Sequence, residues 1–341
     1  MTEAPPAHSA DAAHAGTPEL IGVGSPLVDL LLSVDDDFLQ RHVPGAKGGM
    51  ELVSAETIIA IAGQATSPIT QAAGGAASNT VVGCANLGIR SAFIGCVGDD
   101  DFAAFYRDAL TSQGCEPRLI TTPDQPTGRV LSLITPDAQR TLRTCLGAAA
   151  AITPAQVQPA DFHGVRLVML EGYALFNQPF ARAVAEAATA AGAKLALDLA
   201  SFEVVRANRE VLAELLDHHV DIVFANEDEA KAWNPAGPEA ALADLAARVD
   251  VAVVKLGKDG ALIANQGATT RVAAEVVEAV DTTGAGDCFA AGFLAGWLKN
   301  LPLVECGRLG AMAGAAVVQV VGAQVPRPQW LKIKGYLDAW T

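Results

Sequence analysis

The chain has 341 residues, of which 51% are hydrophobic and 18% charged, a composition typical of a compact protein with a large core. Its formal net charge of −15 argues against nucleic acids and anionic membrane surfaces as partners. The six cysteines have no C-x-x-C spacing, which indicates reduced core residues.

The first 18 residues lack the basic and apolar regions of a signal peptide. We therefore expect a disordered tail at residues 1–18 and a cytoplasmic protein. The rest of the chain, residues 19–341, is predicted to form one α/β domain.

The first half of that domain predicts two kinds of strand. Residues 19–24 and 92–97 are mostly apolar and indicate core strands, whereas three other strands mix polar and apolar positions: residues 28–33, 130–135 and 141–145. Residues 135–140 resemble a hairpin turn. We predict a small antiparallel sheet, built from about 27–60 and 127–147, that serves as a lid.

After residue 151, short apolar runs alternate with Ala-rich helical patterns. The predicted strands are residues 166–170, 194–198, 221–224 and 251–256. Alternation of this kind predicts a mostly parallel sheet with helices on both faces.

Two glycine patterns resemble dinucleotide fingerprints but do not match them. Leu27 and Phe289 stand where Gly22-Val23-Gly24 and Gly284-Ala285-Gly286 would need a third glycine. The sequence also contains no G-x-x-x-x-G-K-[ST], so Rossmann and P-loop assignments are disfavoured.

Asp287 lies between a glycine turn and an apolar run that predicts a buried helix. Two roles fit an aspartate in the first turn of such a helix. It can cap the helix, since Asp is a preferred capping residue. Alternatively, the amides of Gly284, Ala285 and Gly286 can bind an anion while Asp287 accepts a hydroxyl proton.

The segment Asp281-Thr282-Thr283-Gly284-Ala285-Gly286-Asp287-Cys288-Phe289 resembles the C-terminal signature of the ribokinase-like (PfkB) family of sugar and nucleoside kinases. Four further segments occur in the family's order and cover most of the chain. The resemblance implies a ribokinase-like fold, ATP and Mg²⁺ as cofactors, Asp287 as catalytic base, anion-binding amides at residues 284–286 and nucleotide binding by Thr282.

The resemblance places substrate-binding residues in the first half of the chain. Asp29 would hold substrate hydroxyls, Gly74 and Gly75 would let the substrate lie on the backbone, and Asn79 would hydrogen-bond it. Glu171 also belongs to this set. A strand-terminating Asp and ordinary helix capping would explain the same residues. Ala76 replaces the Lys that often follows the glycine pair in sugar-preferring members, which disfavours a ribokinase.

The same resemblance assigns nucleotide-binding residues to the second half. Asn226 and Glu229 match the family's N-x-x-E motif, in which Glu229 would reach Mg²⁺ through water. An Asn cap followed by acidic residues is the alternative. Lys255, Gly257 and Gly260 match the loop that passes the phosphates, and an ordinary turn would also account for it.

Arg140 is the remaining nucleotide-binding candidate. It would reach the phosphates from the lid, although a solvated turn arginine fits equally well.

Within the family, the chain is similar to the bacterial adenosine-kinase-like branch. This similarity implies transfer of the γ-phosphate to a primary hydroxyl of a ribosyl substrate, with the 5′-hydroxyl of adenosine or a related nucleoside as the expected acceptor. A sugar kinase for ribose, fructose or a similar sugar is one alternative, and a non-catalytic nucleoside or sugar sensor is another. Both a monomer and a homodimer fit the sequence.

Overall fold

The computed structural model describes residues 16–137 and 139–340. Strands β1 to β14 are, in chain order, Leu20–Val23, Leu27–Ser33, Met50–Leu52, Thr70–Gly74, Ser91–Val97, Cys115–Thr121, Gly128–Ile134, Arg140–Cys145, Leu167–Glu171, Lys194–Asp198, Ile222–Asn226, Val251–Lys255, Ala261–Asn265 and Ala268–Val272. Helices α1 to α12 are Asp36–His42, Ala55–Ala62, Ala76–Asn86, Asp101–Ser112, Gln178–Ala190, Phe202–Ala207, Arg209–His218, Glu227–Trp233, Pro238–Ala246, Ala285–Leu298, Leu303–Val317 and Arg327–Asp338.

Nine strands form a large sheet in the order β14-β13-β12-β11-β10-β9-β1-β5-β6. The strands from β12 to β6 are parallel, and β13 and β14 add an antiparallel edge. Alternate residues of β9 enter two different cores: Leu167 and Met169 pack on one side, Val168 and Leu170 on the other. Both faces are therefore covered, which confirms the predicted α/β sheet and explains its apolar strands.

The remaining five strands form a smaller sheet in the order β3-β8-β7-β2-β4, which we call the lid sheet. The prediction that this sheet is antiparallel was wrong, because β2 pairs with β7, and β3 with β8, in parallel. β1 and β6 run parallel in the large sheet, and each is followed at the same edge by a lid strand. β2 and β7 consequently enter the lid sheet in the same direction. β4 also belongs to it, outside the two segments predicted for the lid.

Antiparallel pairing joins β7 to β8, and the Thr135 N–H donates to the Gln139 carbonyl at 3.1 Å. This is the predicted hairpin turn.

Residues 1–15 of the tail predicted at residues 1–18 lie outside the described residues. Beyond them, Pro18 is buried and the Thr17 carbonyl accepts a hydrogen bond from Arg90 Nε at 3.2 Å. Of the helices described in the structure, none is long and apolar enough to cross a membrane.

The carboxyl ends of the parallel strands meet at one edge of the large sheet, as parallel strands require. Polar residues end five of them, and four lie on neighbouring strands: Glu171 ends β9, Asp198 ends β10, Asn226 ends β11 and Lys255 ends β12. The lid sheet extends from this edge, since only three residues separate β1 from β2. Ligands of open parallel sheets bind at such edges, so the site is expected here.

Candidate active site

Asp287 lies in the first turn of α10, as predicted, but it does not cap the helix. Gly284 occupies the capping position in a left-handed conformation with φ +73°. A side chain at Gly284 would be strained, and its Cβ would lie 2.6 Å from Ala323 Cβ. The Asp287 carboxylate instead accepts a hydrogen bond from Asn79 Nδ2 at 2.9 Å. The capping alternative is therefore wrong.

The surroundings of Asp287 raise its pKa to about 7. Burial is the main cause, and the hydrogen bond from Asn79 opposes it by favouring the ionised form. The nearby Asp198 carboxylate raises the pKa further. A carboxylate with a pKa near neutrality suits a general base.

Helix α3 holds Asn79 in place against Asp287. Thr80 Oγ1 donates to the Asp287 carbonyl oxygen at 3.2 Å, which joins α3 to α10. Gly75, just before α3, has φ +103°, and a Cβ there would collide with the Ser25 carbonyl oxygen. This residue must therefore be glycine for the chain to turn from β4 into α3.

Glu171, predicted to bind substrate, is 1% exposed and supports the backbone around the site. Its Oε1 accepts from the Ser25 N–H at 2.7 Å and its Oε2 from the Ala77 N–H at 3.1 Å. Burial raises its pKa. The carboxylate therefore ties the link between β1 and β2 to the first turn of α3.

Asp29 and Gly74 lie side by side on the lid sheet, on neighbouring strands β2 and β4. A methyl group on Gly74 would lie 2.5 Å from Asp29 Oδ2. Burial raises the pKa of Asp29 to about 6, although the charge of Arg140 opposes the rise. The Gly74 carbonyl accepts from the Tyr106 hydroxyl at 2.8 Å, which fixes the strand that Asp29 faces.

Asn226 and Glu229 cap α8 reciprocally. Glu229 N–H donates to Asn226 Oδ1 at 2.9 Å, while the backbone N–H and the Nδ2 of Asn226 each donate to a Glu229 carboxylate oxygen at 2.7 Å. Burial raises the pKa of Glu229 to about 7, and the Asp198 carboxylate adds to the rise. The predicted capping role is thus present, and a metal role through water is an additional hypothesis.

Lys255 lies against the glycine turn and donates to Asp198 Oδ2 at 2.7 Å. The sequence prediction included Lys255 but missed Asp198. The available signal was the end of the strand at residues 194–198, because polar residues at the carboxyl ends of parallel strands often face the ligand.

Arg140 joins the lid sheet to the loop before α10. It pairs with Asp281 Oδ2 at 2.6 Å and donates to Thr283 Oγ1 at 3.0 Å. Its side chain is 16% exposed, so the solvated alternative was wrong. Asp281 also accepts a hydrogen bond from the Gly322 N–H at 2.7 Å. This bond holds in place the carboxylate that pairs with Arg140 of the lid sheet.

The remaining predicted nucleotide-binding residues lie in two turns, one after β12 and one before α10. Gly257 begins a short 3₁₀ turn after β12 and is exposed, and Gly260 directly follows that turn. Thr282 is exposed, and its carbonyl accepts from the Ala285 N–H at 3.2 Å. Helix geometry leaves the next amides, those of Gly286 and Asp287, without an intrahelical acceptor and able to bind an anion.

The site thus combines a carboxylate with a pKa near 7, helix-terminal amides and a lysine at the carboxyl edge of a parallel sheet, next to the lid sheet. These features define a small-molecule phosphotransferase with a hydroxyl acceptor. The profile of the pfkB family carbohydrate kinases matches residues 50–330, and the chain belongs to this family. It is a PfkB-type nucleoside or sugar kinase that uses ATP.

Known structures and sequences agree with this assignment. The adenosine kinase of Sinorhizobium meliloti superposes with a TM-score of 0.84 at 31% identity, covering 94% of this chain and 100% of that one. A probable sugar kinase of Rhizobium etli gives 0.83 at 31% identity, covering 94% and 99%. The adenosine kinase of Schizophyllum commune is 28% identical over 345 residues, covering 93% of this chain and 98% of its own length.

Proposed function

We propose that this kinase transfers the γ-phosphate of ATP to the 5′-hydroxyl of adenosine or a closely related nucleoside. The hydrogen bond of 2.9 Å between Asn79 and Asp287 carries the proposal, because it joins a substrate-binding helix to a base with a pKa of about 7. The similarity to the adenosine kinase of Sinorhizobium meliloti favours a nucleoside as the acceptor.

The substrate half of the site holds the ribose. Asp29 accepts hydrogen bonds from ribose hydroxyls, Asn79 adds another contact, and Gly74 and Gly75 let the sugar approach the backbone. The 5′-hydroxyl then points toward Asp287. Holding the acceptor oxygen in line with the γ-phosphorus supplies much of the acceleration.

The chemical step is an in-line displacement. Asp287 takes the proton of the 5′-hydroxyl as its oxygen forms a bond to the γ-phosphorus. The bond from that phosphorus to the β-γ bridging oxygen breaks, and ADP leaves with the electron pair. The amides at the start of α10 hold the charge on the transferring group.

The nucleotide half consists of the residues that face the phosphates: Asn226, Lys255, Gly257, Gly260, Thr282 and Arg140. Mg²⁺ supplies neutralisation of charge on the phosphate oxygens when bound. Glu229 fits this ion, because Mg²⁺ prefers oxygen ligands and retains several waters. Its carboxylate oxygens already bind Asn226, which suits a contact through water.

A sugar kinase is the second candidate, favoured by the similarity to the probable sugar kinase of Rhizobium etli. Ala76 argues against it, since the Lys expected of sugar-preferring members is missing.

A substrate panel tests the proposal. The purified chain is given ATP and Mg²⁺ with adenosine, inosine, ribose or fructose, and ADP and phosphorylated product are measured by chromatography and mass spectrometry. We expect AMP from adenosine at the highest kcat/KM, and no product from 5′-deoxyadenosine, which lacks the acceptor oxygen. Preferential phosphorylation of ribose or fructose would establish the sugar kinase instead, and no ADP with any acceptor would refute both.

A further inference from the structure

Asp198 and Lys255 meet across the end of β11, the strand that separates theirs. The sheet register pairs Asp198 with Phe224, and Phe224 with Val253. Paired residues share a face of a sheet, and so does Lys255, two residues after Val253. The lysine side chain therefore crosses β11, with Nζ 5.9 Å from the centre of the Phe224 ring, to reach Asp198.

This crossing places the ammonium group at the glycine turn. A methyl group on Gly286 would lie 3.0 Å from Lys255 Nζ. Gly286 directly precedes Asp287 and lies in the amide-rich first turn of α10. Lys255 therefore faces the place where the proposed base and the anion-binding amides meet.

The pair is costly as a purely structural feature. The side chains of Lys255 and Asp198 are only 12% and 7% exposed, and buried ion pairs often stabilise a protein no better than apolar residues of similar size. The second oxygen of Asp198 accepts from the Ala200 N–H at 3.1 Å, and Ala200 has φ +65°. A non-glycine residue in this left-handed conformation is strained, and strain of this kind concentrates at functional sites.

Lys255 keeps its proton in this setting. Burial lowers its pKa, but the carboxylates of Asp198 and Glu229 outweigh that effect, so the pKa is raised overall. Asp287 contributes in the same direction. A permanently charged ammonium is a donor for phosphate oxygens, not a base.

On the basis of the kinase function proposed above, we propose that Lys255 is a catalytic residue that binds the phosphoryl group during transfer, and that Asp198 is its positioning residue. Lys255 donates hydrogen bonds to oxygens of the transferring group and retains its proton throughout. Asp198 holds the side chain across β11 so that the ammonium stays beside Gly286.

A double-mutant cycle tests this pairing. Lys255→Met should lower kcat by about 10²–10³-fold, the effect of removing one donor to developing charge. Asp198→Asn should lower it by about 10–100-fold, the range for residues that orient a direct ligand. Because Asp198 acts through Lys255, the kcat of the double variant should equal that of Lys255→Met within about twofold.

Lys194→Met is the matched control. Lys194 lies at the opposite end of β10 from Asp198 and pairs with Asp221 at 2.5 Å and with Asp250 at 3.2 Å, so the variant also removes a lysine and its ion pairs. We expect its kcat to stay within about twofold of wild type. If Lys255→Met does not fold, the double variant replaces it, because neither buried charge is then left without its partner. Thermal denaturation reports folding in each case.

The cycle can overturn the proposal in two ways. Retention of kcat within about threefold by folded Lys255→Met, or by the double variant that replaces it, would make the lysine structural. An equal loss from Asp198→Asn in the wild-type and Lys255→Met backgrounds would show that Asp198 acts independently.

A binding measurement separates this inference from the proposed function. Lys255→Met should weaken the binding of a non-hydrolysable ATP analogue by about tenfold, because one charged contact to the γ-phosphate is lost. The affinity for MgADP, which has no γ-phosphate, should stay unchanged. Equal weakening of both nucleotides would refute contact with the transferring group. If wild type phosphorylates none of the panel substrates, the proposed function fails, whereas the difference between the two nucleotides still tests Lys255.

Discussion

Removing the hydrogen bond between Asn79 and Asp287 should shift the pH dependence of the reaction. Asn79→Ala deletes the donor that lies 2.9 Å from the carboxylate and lowers its pKa. A hydrogen bond to a charged group contributes about 1.5–3 kcal/mol, and about 1.4 kcal/mol corresponds to one pKa unit. We take the low end of this range and expect the pKa of Asp287 to rise by about one unit.

The sign follows from the role of the base. Asp287 accepts a proton only when ionised, so kcat/KM falls as pH drops through its pKa of about 7. In Asn79→Ala, this acid limb should move to about pH 8, a shift of about one unit. The assay measures kcat/KM for the nucleoside from acid to alkaline pH, with ADP quantified directly by chromatography.

Asn86→Ala provides a matched control on the same helix. Asn86 ends α3 and donates to the Val82 carbonyl and to Gln113, away from Asp287. Its acid limb should coincide with that of wild type. The reasoning is refuted if Asn79→Ala leaves the limb in place or moves it to lower pH, whatever happens to the size of kcat/KM.

Two further predictions concern the backbone and the lid. Gly75→Ala combines φ +103° with a collision against a carbonyl oxygen, so we expect a loss of at least about 3 kcal/mol in unfolding free energy, measured by chemical denaturation. Gly192→Ala, at φ +77° with nothing within 4 Å of the added methyl group, should lose only about 1–2 kcal/mol; similar losses would contradict the argument. Arg140→Met breaks the 2.6 Å ion pair between lid and glycine loop and should lower kcat/KM for ATP by about 10–100-fold. Arg182→Met breaks a surface ion pair of 2.8 Å and should leave kcat/KM for ATP unchanged. If Arg140→Met and Arg182→Met lower kcat/KM equally, the contact between Arg140 and Asp281 has no role in catalysis.

The sequence predicted local features well. Apolar runs identified the parallel strands, and the segment around Asp287 identified both the helix start and the family. These features depend on residues close together in the chain. The resemblance also assigned Asn79 and Asp287 to one site, although they are 208 residues apart, but it did not predict the hydrogen bond between them.

Features that depend on strand pairing were harder to predict. The lid sheet is mixed because β2 and β7 both leave the large sheet at the same edge and therefore run parallel. The residues of each strand alone do not reveal the direction of its neighbour. Asp198 was missed because its partnership with Lys255 arises only when β10, β11 and β12 align. Glu171 was expected to contact substrate, whereas its buried carboxylate binds two backbone amides.

Stability of Asp287→Asn is the control for the final test. The pKa of Asp287 is raised from 3.8 to about 7 in the folded chain, so ionising this group destabilises the fold progressively as pH rises between those values. The neutral Asn avoids this cost. Asp287→Asn should therefore unfold at a higher temperature than wild type above pH 7, and the difference should narrow toward pH 4. A lower unfolding temperature at alkaline pH would contradict the raised pKa.

Turnover by Asp287→Asn with ATP and the best substrate of the panel tests the central claim most directly. We expect kcat to fall by at least about 10³-fold, because the proton of the attacking hydroxyl loses its acceptor, while nucleotide affinity stays within about threefold. Retention of more than about a tenth of wild-type kcat in the folded variant would show that Asp287 is not the catalytic base.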